Sequence, residues 1–195
     1  MLVFLLGIKA VGKSRLVKEL NSMLGKPITE ISYGDMMLKI AMEQLGVQDR
    51  DSIAKLAPSE QNRIREEAAK AIRILGESEP VVFLNTHGFI YTMPHHTYLP
   101  GSPDSVSELL NPGMILLVEA SPGVIISRRE KDQKSGRNRE IGTTAEVADS
   151  LELERMSAVH LSSKFGIQLK LFDNSRPIED ARAEVTSLSE LFKSL

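Results

Sequence analysis

Apolar positions along the chain follow two alternating rhythms. Continuous runs at 2–6 (LVFLL), 81–85 (VVFLN) and 114–120 (MILLVEA) read as strands apolar on both faces, as in a sheet buried between two layers. Shorter runs at 28–32 (ITEIS) and 167–173 (IQLKLFD) read as two more strands. Between the runs the spacing changes to three and four. Leu16, Leu20 and Leu24 mark a helix over 13–24, and 35–46 has helical apolar spacing and a stop at Gly46. A long, clear helical segment runs from Pro58 to a stop at Gly76, with Ala68, Ala69 and Ile72 on one side. Ser121-Pro122 opens a helix over 121–132, residues 144–165 form another ending at Gly166, and 177–194 form the last. Residues 86–104, rich in Pro, His and Gly, read as a long loop, and 133–140 (QKSGRNRE) as a polar one.

Buried strands alternating with helices predict an α/β fold, a parallel sheet with helices on both faces. The 195 residues fit one domain spanning 1–195, with no repeat, low-complexity tract or linker. Two segments stand outside the alternation as flaps on that core, at about 34–75 and about 130–143.

Composition then removes several classes of function. A hydrophobic content of 42% is too high for a globally disordered chain. A net charge of -2 without a basic tail or stripe disfavours nucleic-acid binding. The absence of cysteine excludes disulfides and thiolate metal sites and suits a reducing compartment. The run MLVFLLGI is too short to span a bilayer and lacks a basic flank and a small-residue cleavage site, and no other run is long enough. The expectation is a soluble cytoplasmic protein.

The chemistry enters at residues 7–14, GIKAVGKS, which match G-x-x-x-x-G-K-[ST] at a strand-to-helix junction. The glycines let the backbone curl until its N–H groups converge on one anion, and the following helix adds the positive end of its dipole. Lys13 can reach terminal phosphate oxygens, and the Ser14 hydroxyl can ligate Mg²⁺. GTPases would add D-x-x-G and N-K-x-D, and the chain has neither. One such loop beside two candidate flaps suits phosphoryl transfer to a small acceptor, because closure keeps water from competing for the γ-phosphate.

Further stretches follow in order: YGD (33–35), DRD (49–51), KLAPSEQ (55–61), TH (86–87), YLPG (98–101), LNP (110–112), VEA (118–120) and RNR (137–139). With the loop they make the chain resemble the archaeal-type adenylate kinases over nearly its whole length. The resemblance implies a P-loop three-layer fold on a five-stranded parallel sheet, the reaction ATP + AMP ⇌ 2 ADP with Mg²⁺, and a homotrimer. It places Gly7, Ile8, Lys9, Ala10, Val11, Gly12, Lys13, Ser14 and Arg15 on ATP. It places Tyr33, Gly34 and Asp35 at the start of an AMP-side flap and Gln61 and Arg63 on the helix that closes it, with Thr86 and His87 also on the AMP side. Lys13, Arg128, Arg137 and Arg139 are the implied catalytic cations, Arg128 against the ATP base or phosphates and the other two arginines on a short lid. Ser14, and Asn85 through water, are the implied metal contacts. The physics agrees, since a charged in-line transition state needs forked, fixed donors around it.

Other readings of single residues stay open. Arg63, Arg65 and Glu66 also fit a solvated helix face, Arg137 and Arg139 surface charge, and His87 a structural histidine. His95 and His96 read as loop residues and Met36, Met37 and Met42 as packing. The chain also departs from the family pattern. Lys9-Ala10 stands where Pro-Gly is common, so a positive φ at residue 10 would strain alanine. Thr is common where Arg15 stands, Asn85 replaces an Asp, a basic residue is common at Tyr91, and the segment between Thr86 and Tyr98 is about two residues longer. A kinase for another nucleoside monophosphate or small acceptor therefore remains an alternative, as does an adenylate-kinase-like ATPase acting as an assembly or RNA-associated factor.

Overall fold

The computed structural model describes residues 1–25, 28–92, 97–136, 141–177 and 179–193. The first strand, β1 (Leu2–Leu6), runs into the glycine loop and then α1 (Lys13–Leu24). Next come β2 (Thr29–Ser32), α2 (Tyr33–Leu45), α3 (Arg50–Ile53), α4 (Pro58–Ser78) and β3 (Val82–Asn85). After β3 the chain forms β4 (Phe89–Thr92), β5 (Thr97–Pro100), α5 (Asp104–Leu110) and β6 (Met114–Glu119). It ends with α6 (Pro122–Lys134), α7 (Thr144–Phe165), β7 (Gln168–Asp173) and α8 (Arg182–Lys193).

Five strands form one sheet in the order β2-β3-β1-β6-β7, every neighbouring pair parallel, with Val3 opposite Phe83 on one side and Met114 on the other. Side chains along β1 alternate between two cores. Val3 and Leu5 join Leu16, Leu20, Ile125, Val185 and Phe192 from α1, α6 and α8. Leu2, Phe4 and Leu6 join Ile40, Ile64, Ile72, Leu110 and Leu161 from α2, α4, α5 and α7. The strand period of two thus feeds both layers, and each fully buried Leu, Ile or Phe contributes roughly 1.5–3 kcal/mol. The chain leaves β1 toward one side of the sheet and β6 toward the other. Ligands of open parallel sheets bind at the carboxyl edge beside such a reversal, and that edge carries Gly7, Tyr33, Thr86 and Asn174.

The sheet and its two helical layers match the sequence expectation, and several details differ, among them the short helix α3. The expected loop 86–104 contains an antiparallel hairpin, pairing Ile90 with Leu99 and Tyr91 with Tyr98. Its aromatic and β-branched residues favour extended pairing, which the intervening Pro and His obscured in the sequence. Residues 104–110 form a helix that went unread. Helix α4 passes through Gly76 to Ser78; a Cβ there would meet nothing closer than Leu2 at 3.8 Å, so this glycine marks no stop. The last helix begins at Arg182 rather than 177. Among the described residues no helix is long and apolar enough to cross a membrane.

Candidate active site

The cradle is built on backbone that only special residues adopt easily. Gly7 and Gly12 have φ of 141° and 99°. A Cβ on Gly7 would lie 2.5 Å from the Val118 carbonyl oxygen, and one on Gly12 would lie 2.2 Å from Asn174 Nδ2. Ala10 has φ of 73°, so the strain expected for alanine at this position is present. Gly12 is the N-cap of α1 and brings no capping side chain, which leaves the helix end open toward an anion. Lys13 is only 8% exposed and its Nζ donates to the Gly7 carbonyl oxygen, so the ammonium sits inside the loop. Ser14 is exposed beside it, and Arg15 is exposed and paired with Glu179 at 2.6 Å.

Two arginines of α6 hold this loop from behind. Arg128 donates to the carbonyls of Val11 at 2.9 Å, Ala10 at 3.5 Å and Asn174 at 2.8 Å. Asn174 Nδ2 donates to the same Val11 oxygen at 2.7 Å. Partial burial, and then the charge of Arg15, hold the Arg128 guanidinium below its ordinary pKa. Arg128 thus braces the cradle's backbone. Arg129, which the sequence did not single out, donates to Ile141 O at 2.9 Å and Lys9 O at 3.5 Å. It ties the end of the expected lid to the cradle. Arg137 and Arg139 lie outside the described residues, as do His95 and His96.

On the side expected to take the acceptor, α2 starts where β2 ends. Ser32 Oγ caps it by accepting from the Asp35 amide at 3.3 Å. Tyr33 is 3% exposed, burial raises its pKa, and its hydroxyl donates to Arg65 O at 3.1 Å, locking α2 onto α4. Arg50, from the stretch DRD, lies over Gly34, where a Cβ would meet its guanidinium carbon at 3.0 Å. It donates to Asp35 Oδ1 and, at 3.3 Å, to Ser32 Oγ. Burial pushes the Asp35 pKa up, but the hydrogen bonds from Ser32 and Arg50 outweigh it and hold the carboxyl low. Gln61 donates to Ala54 O and Leu56 O at 3.2 and 2.8 Å and closes the α3–α4 turn. Arg63 pairs on the exposed surface with Gln44 and with Glu67 at 3.2 Å, which matches the solvated-face reading.

After β3, Thr86 is 4% exposed and shares a 2.9 Å hydrogen bond with Ser102 Oγ. His87 keeps 29% of its side chain exposed, yet burial, then the charges of Lys13 and Lys9, drive its pKa down to about 3, so the ring is neutral. Asn85 Nδ2 donates to Glu30 Oε1 at 3.1 Å. Beyond β6, Arg155 of α7 grips both Glu119 oxygens at 2.9 and 2.8 Å. Glu154, a carboxylate only 2% exposed, accepts the Gly7 and Gly88 amides at 2.9 Å each. Burial raises its pKa, against the pull of the Gly7 amide and the Lys13 charge. The signal for it was available: Val147, Glu154, Ala158 and Leu161 share one helical face, and a lone carboxylate on that face needs partners.

Magnesium is tested by these donors. Ser14 offers an exposed hydroxyl oxygen, and Asn85 Oδ1 remains an acceptor once Nδ2 is engaged, so both suit a hard cation and its waters. Among the described residues no group of three His, Asp or Glu is arranged to hold a metal. The residues therefore fit an ion carried mainly by a nucleotide's phosphates.

A phosphate cradle at the switch edge of a parallel sheet, with the α2 N-terminus and the Thr86-His87 turn at the same edge, is the arrangement of a P-loop phosphotransferase. An AAA-domain sequence family matches residues 6–147. Adenylate kinases are similar along almost the entire chain. That of Pyrococcus horikoshii is 31% identical over 97% of this chain and 95% of its own length. That of Methanopyrus kandleri is 34% identical over 86% of both chains, and that of Methanocaldococcus jannaschii 33% over 88% of both. The chain belongs to the adenylate kinase family in its archaeal form, and so to the nucleoside monophosphate kinases. Solved structures of a sugar kinase from Janibacter sp. HTCC2649 and a putative kinase from Chloroflexus aurantiacus share its fold. Their TM-scores are 0.53 and 0.52 at 12% and 17% identity, each over 99% of this chain and 96% of the other.

Proposed function

We infer that the chain works as an adenylate kinase, moving the terminal phosphoryl group of ATP to AMP and back. The observation that supports this is that the cradle and the two segments read as the acceptor side share one sheet edge. The cradle with Lys13 follows β1, while Tyr33-Gly34-Asp35 follows β2 and Thr86-His87 follows β3. Lys13 would leave the Gly7 carbonyl for the phosphates and stabilise the charge that spreads over the transferring group. Arg128 keeps the loop curled, and the α2–α4 layer presents the acceptor. A kinase for a different small acceptor, or an assembly ATPase, has no separate support from the relatives.

The finer assignments belong to the same proposal. Ser14 would hold Mg²⁺ directly and Asn85 through water, the ion neutralising phosphate charge when bound. Gly7 to Arg15 would contact ATP. Tyr33, Gly34, Asp35, Gln61, Arg63, Thr86 and His87 would serve AMP, though the contacts of Gln61 and Arg63 give those two a framework role first. Residues 34–75 and 130–143 would close as flap and lid, with Arg137 and Arg139 as lid cations. Family resemblance supports a homotrimer, and the exposed Met156 and Val159 on α7 and Leu171 on β7 offer apolar surface for it. A cytoplasmic setting fits the cysteine-free sequence.

The test is a phosphotransfer panel of ATP and GTP as donors against AMP, GMP, CMP and UMP. The pair ATP and AMP should turn over fastest. Faster transfer to another acceptor would reassign the substrate, and steady release of phosphate without any acceptor would replace the kinase with an ATPase.

A further inference from the structure

Glu154 carries a charge into the core for which phosphoryl chemistry alone gives no reason. It lies midway along α7, 2% exposed, and Leu161 two turns later packs into the apolar core. A buried carboxylate is costly unless its lone pairs are filled. Here they are filled by the backbones of two loops. Oε1 accepts the Gly7 amide at 2.9 Å, and Oε2 accepts the amides of Gly88 at 2.9 Å and Phe89 at 3.4 Å. Gly7 opens the donor cradle, and its own carbonyl receives Lys13. Gly88 follows His87, whose Nδ1 lies 3.9 Å from Glu154 Oε1. The Gly88 turn is pressed so tightly on α7 that a Cβ there would fall 2.2 Å from Ser157 Oγ. The next residue along α7, Arg155, holds Glu119 at the end of β6. One helix therefore fastens the ends of β1, β3 and β6.

We propose that Glu154 is a positioning residue that sets the separation between the donor cradle and the acceptor-side turn, each oxygen of its carboxylate holding one loop. The proposal rests on the adenylate kinase reading. In-line transfer needs the acceptor oxygen within roughly 3–3.5 Å of the phosphorus, and an error of about 1 Å can cost on the order of 10²-fold. Loops that follow different strands have no such precision by themselves. A rigid carboxylate whose two oxygens are both engaged supplies it.

Glu154→Gln is the informative change, because it keeps the shape and removes one acceptor. Whichever way the amide sits, its NH₂ faces an N–H group, either that of Gly7 or those of Gly88 and Phe89. One loop is released. The expected result is a fall in kcat of at least about 30-fold, with the Kd for ATP alone within about 3-fold of the parent. Leu161→Ala, buried on the same helix but remote from both loops, is the control for simple loss of stability. At a comparable loss of Tm it should retain parental kcat. A second readout needs no turnover: amide exchange at Gly7 or Gly88 should rise at least about 10-fold over the parent in Glu154→Gln and not in Leu161→Ala. Unchanged kcat, a loss of ATP affinity as large as the loss of kcat, or equal kcat losses in the two variants would overturn the proposal. A parent that fails to phosphorylate AMP would overturn the functional reading instead, and the exchange data would then decide the role of Glu154 as a clamp.

Discussion

Ala10 gives the most quantitative handle on the cradle. At φ 73° its Cβ crowds the backbone, and a left-handed conformation costs an L-residue roughly 1–2 kcal/mol. The loop is kept there by Arg128 on the carbonyls of Ala10 and Val11 and by Asn174 on Val11. Ala10→Gly should release that strain. Against it stand the greater freedom of glycine in the unfolded chain, about 0.4–1 kcal/mol, and loss of a half-buried methyl, about 0.3 kcal/mol. The balance is a stabilisation of about 0.5 kcal/mol, or roughly 1–2 °C in Tm for a chain of this size. Ala10→Val moves the other way, since a β-branched residue suits positive φ least, and should cost a further ~1–2 kcal/mol. Calorimetric scans without nucleotide would separate the two variants by several degrees. A glycine variant less stable than the parent, together with a valine variant of parental Tm, would refute a left-handed residue 10.

Lys13→Met should lower kcat by roughly 10²–10³-fold or more, measured as ADP formed from ATP and AMP, since its ammonium sits within the curl of the loop. Arg137→Ala and Arg139→Ala should each lower kcat/KM by at least about tenfold, and the double variant by less than the product if they clamp the phosphates together. Asn85→Asp should sharpen the Mg²⁺ titration of activity if residue 85 faces the metal's waters, and leave it unchanged otherwise. His87, with its pKa lowered to about 3, is unprotonated when folded, whereas the unfolded chain takes up a proton below about 6.5. Its contribution is therefore fully present above pH 6.5 and is lost as pH falls toward 3. In urea titrations the parent should lose on the order of 1 kcal/mol more between pH 7 and pH 5 than His87→Gln, about half the full linkage value because the ring is partly exposed. Equal losses would show that His87 titrates normally. Glu154, shifted upward, acts in the opposite sense, and the paired comparison cancels it.

The cradle and the sheet were legible because each rests on a local rule. LVFLL before GIKAVGKS is a buried strand feeding a phosphate loop, and the run itself contains no competing signal. The strained Ala10 was legible too, as the one position in the loop where a side chain meets a backbone built for glycine. The strand pair β4–β5 escaped because its pairing, Ile90 with Leu99, joins positions nine apart rather than following a period. The bracing roles were hidden for a related reason. Arg128 reaches Val11 across 117 positions and Glu154 reaches Gly7 across 147, and no spacing in the sequence announces either contact. Arg50 was within reach in DRD, but its place over Gly34 is set by the packing of the α2–α4 layer. Gln61 and Arg63 show the converse, polar residues on an expected site helix whose observed partners are the framework itself.

Following ATP, AMP, ADP and inorganic phosphate together by ³¹P NMR, with Mg²⁺ present and the purified protein added, tests the central claim most directly. Starting from equal ATP and AMP, two ADP should appear for each AMP consumed, without free phosphate. Starting from ADP alone, the same mixture should be reached from the other side. Accumulation of inorganic phosphate while AMP stays constant would contradict the assignment.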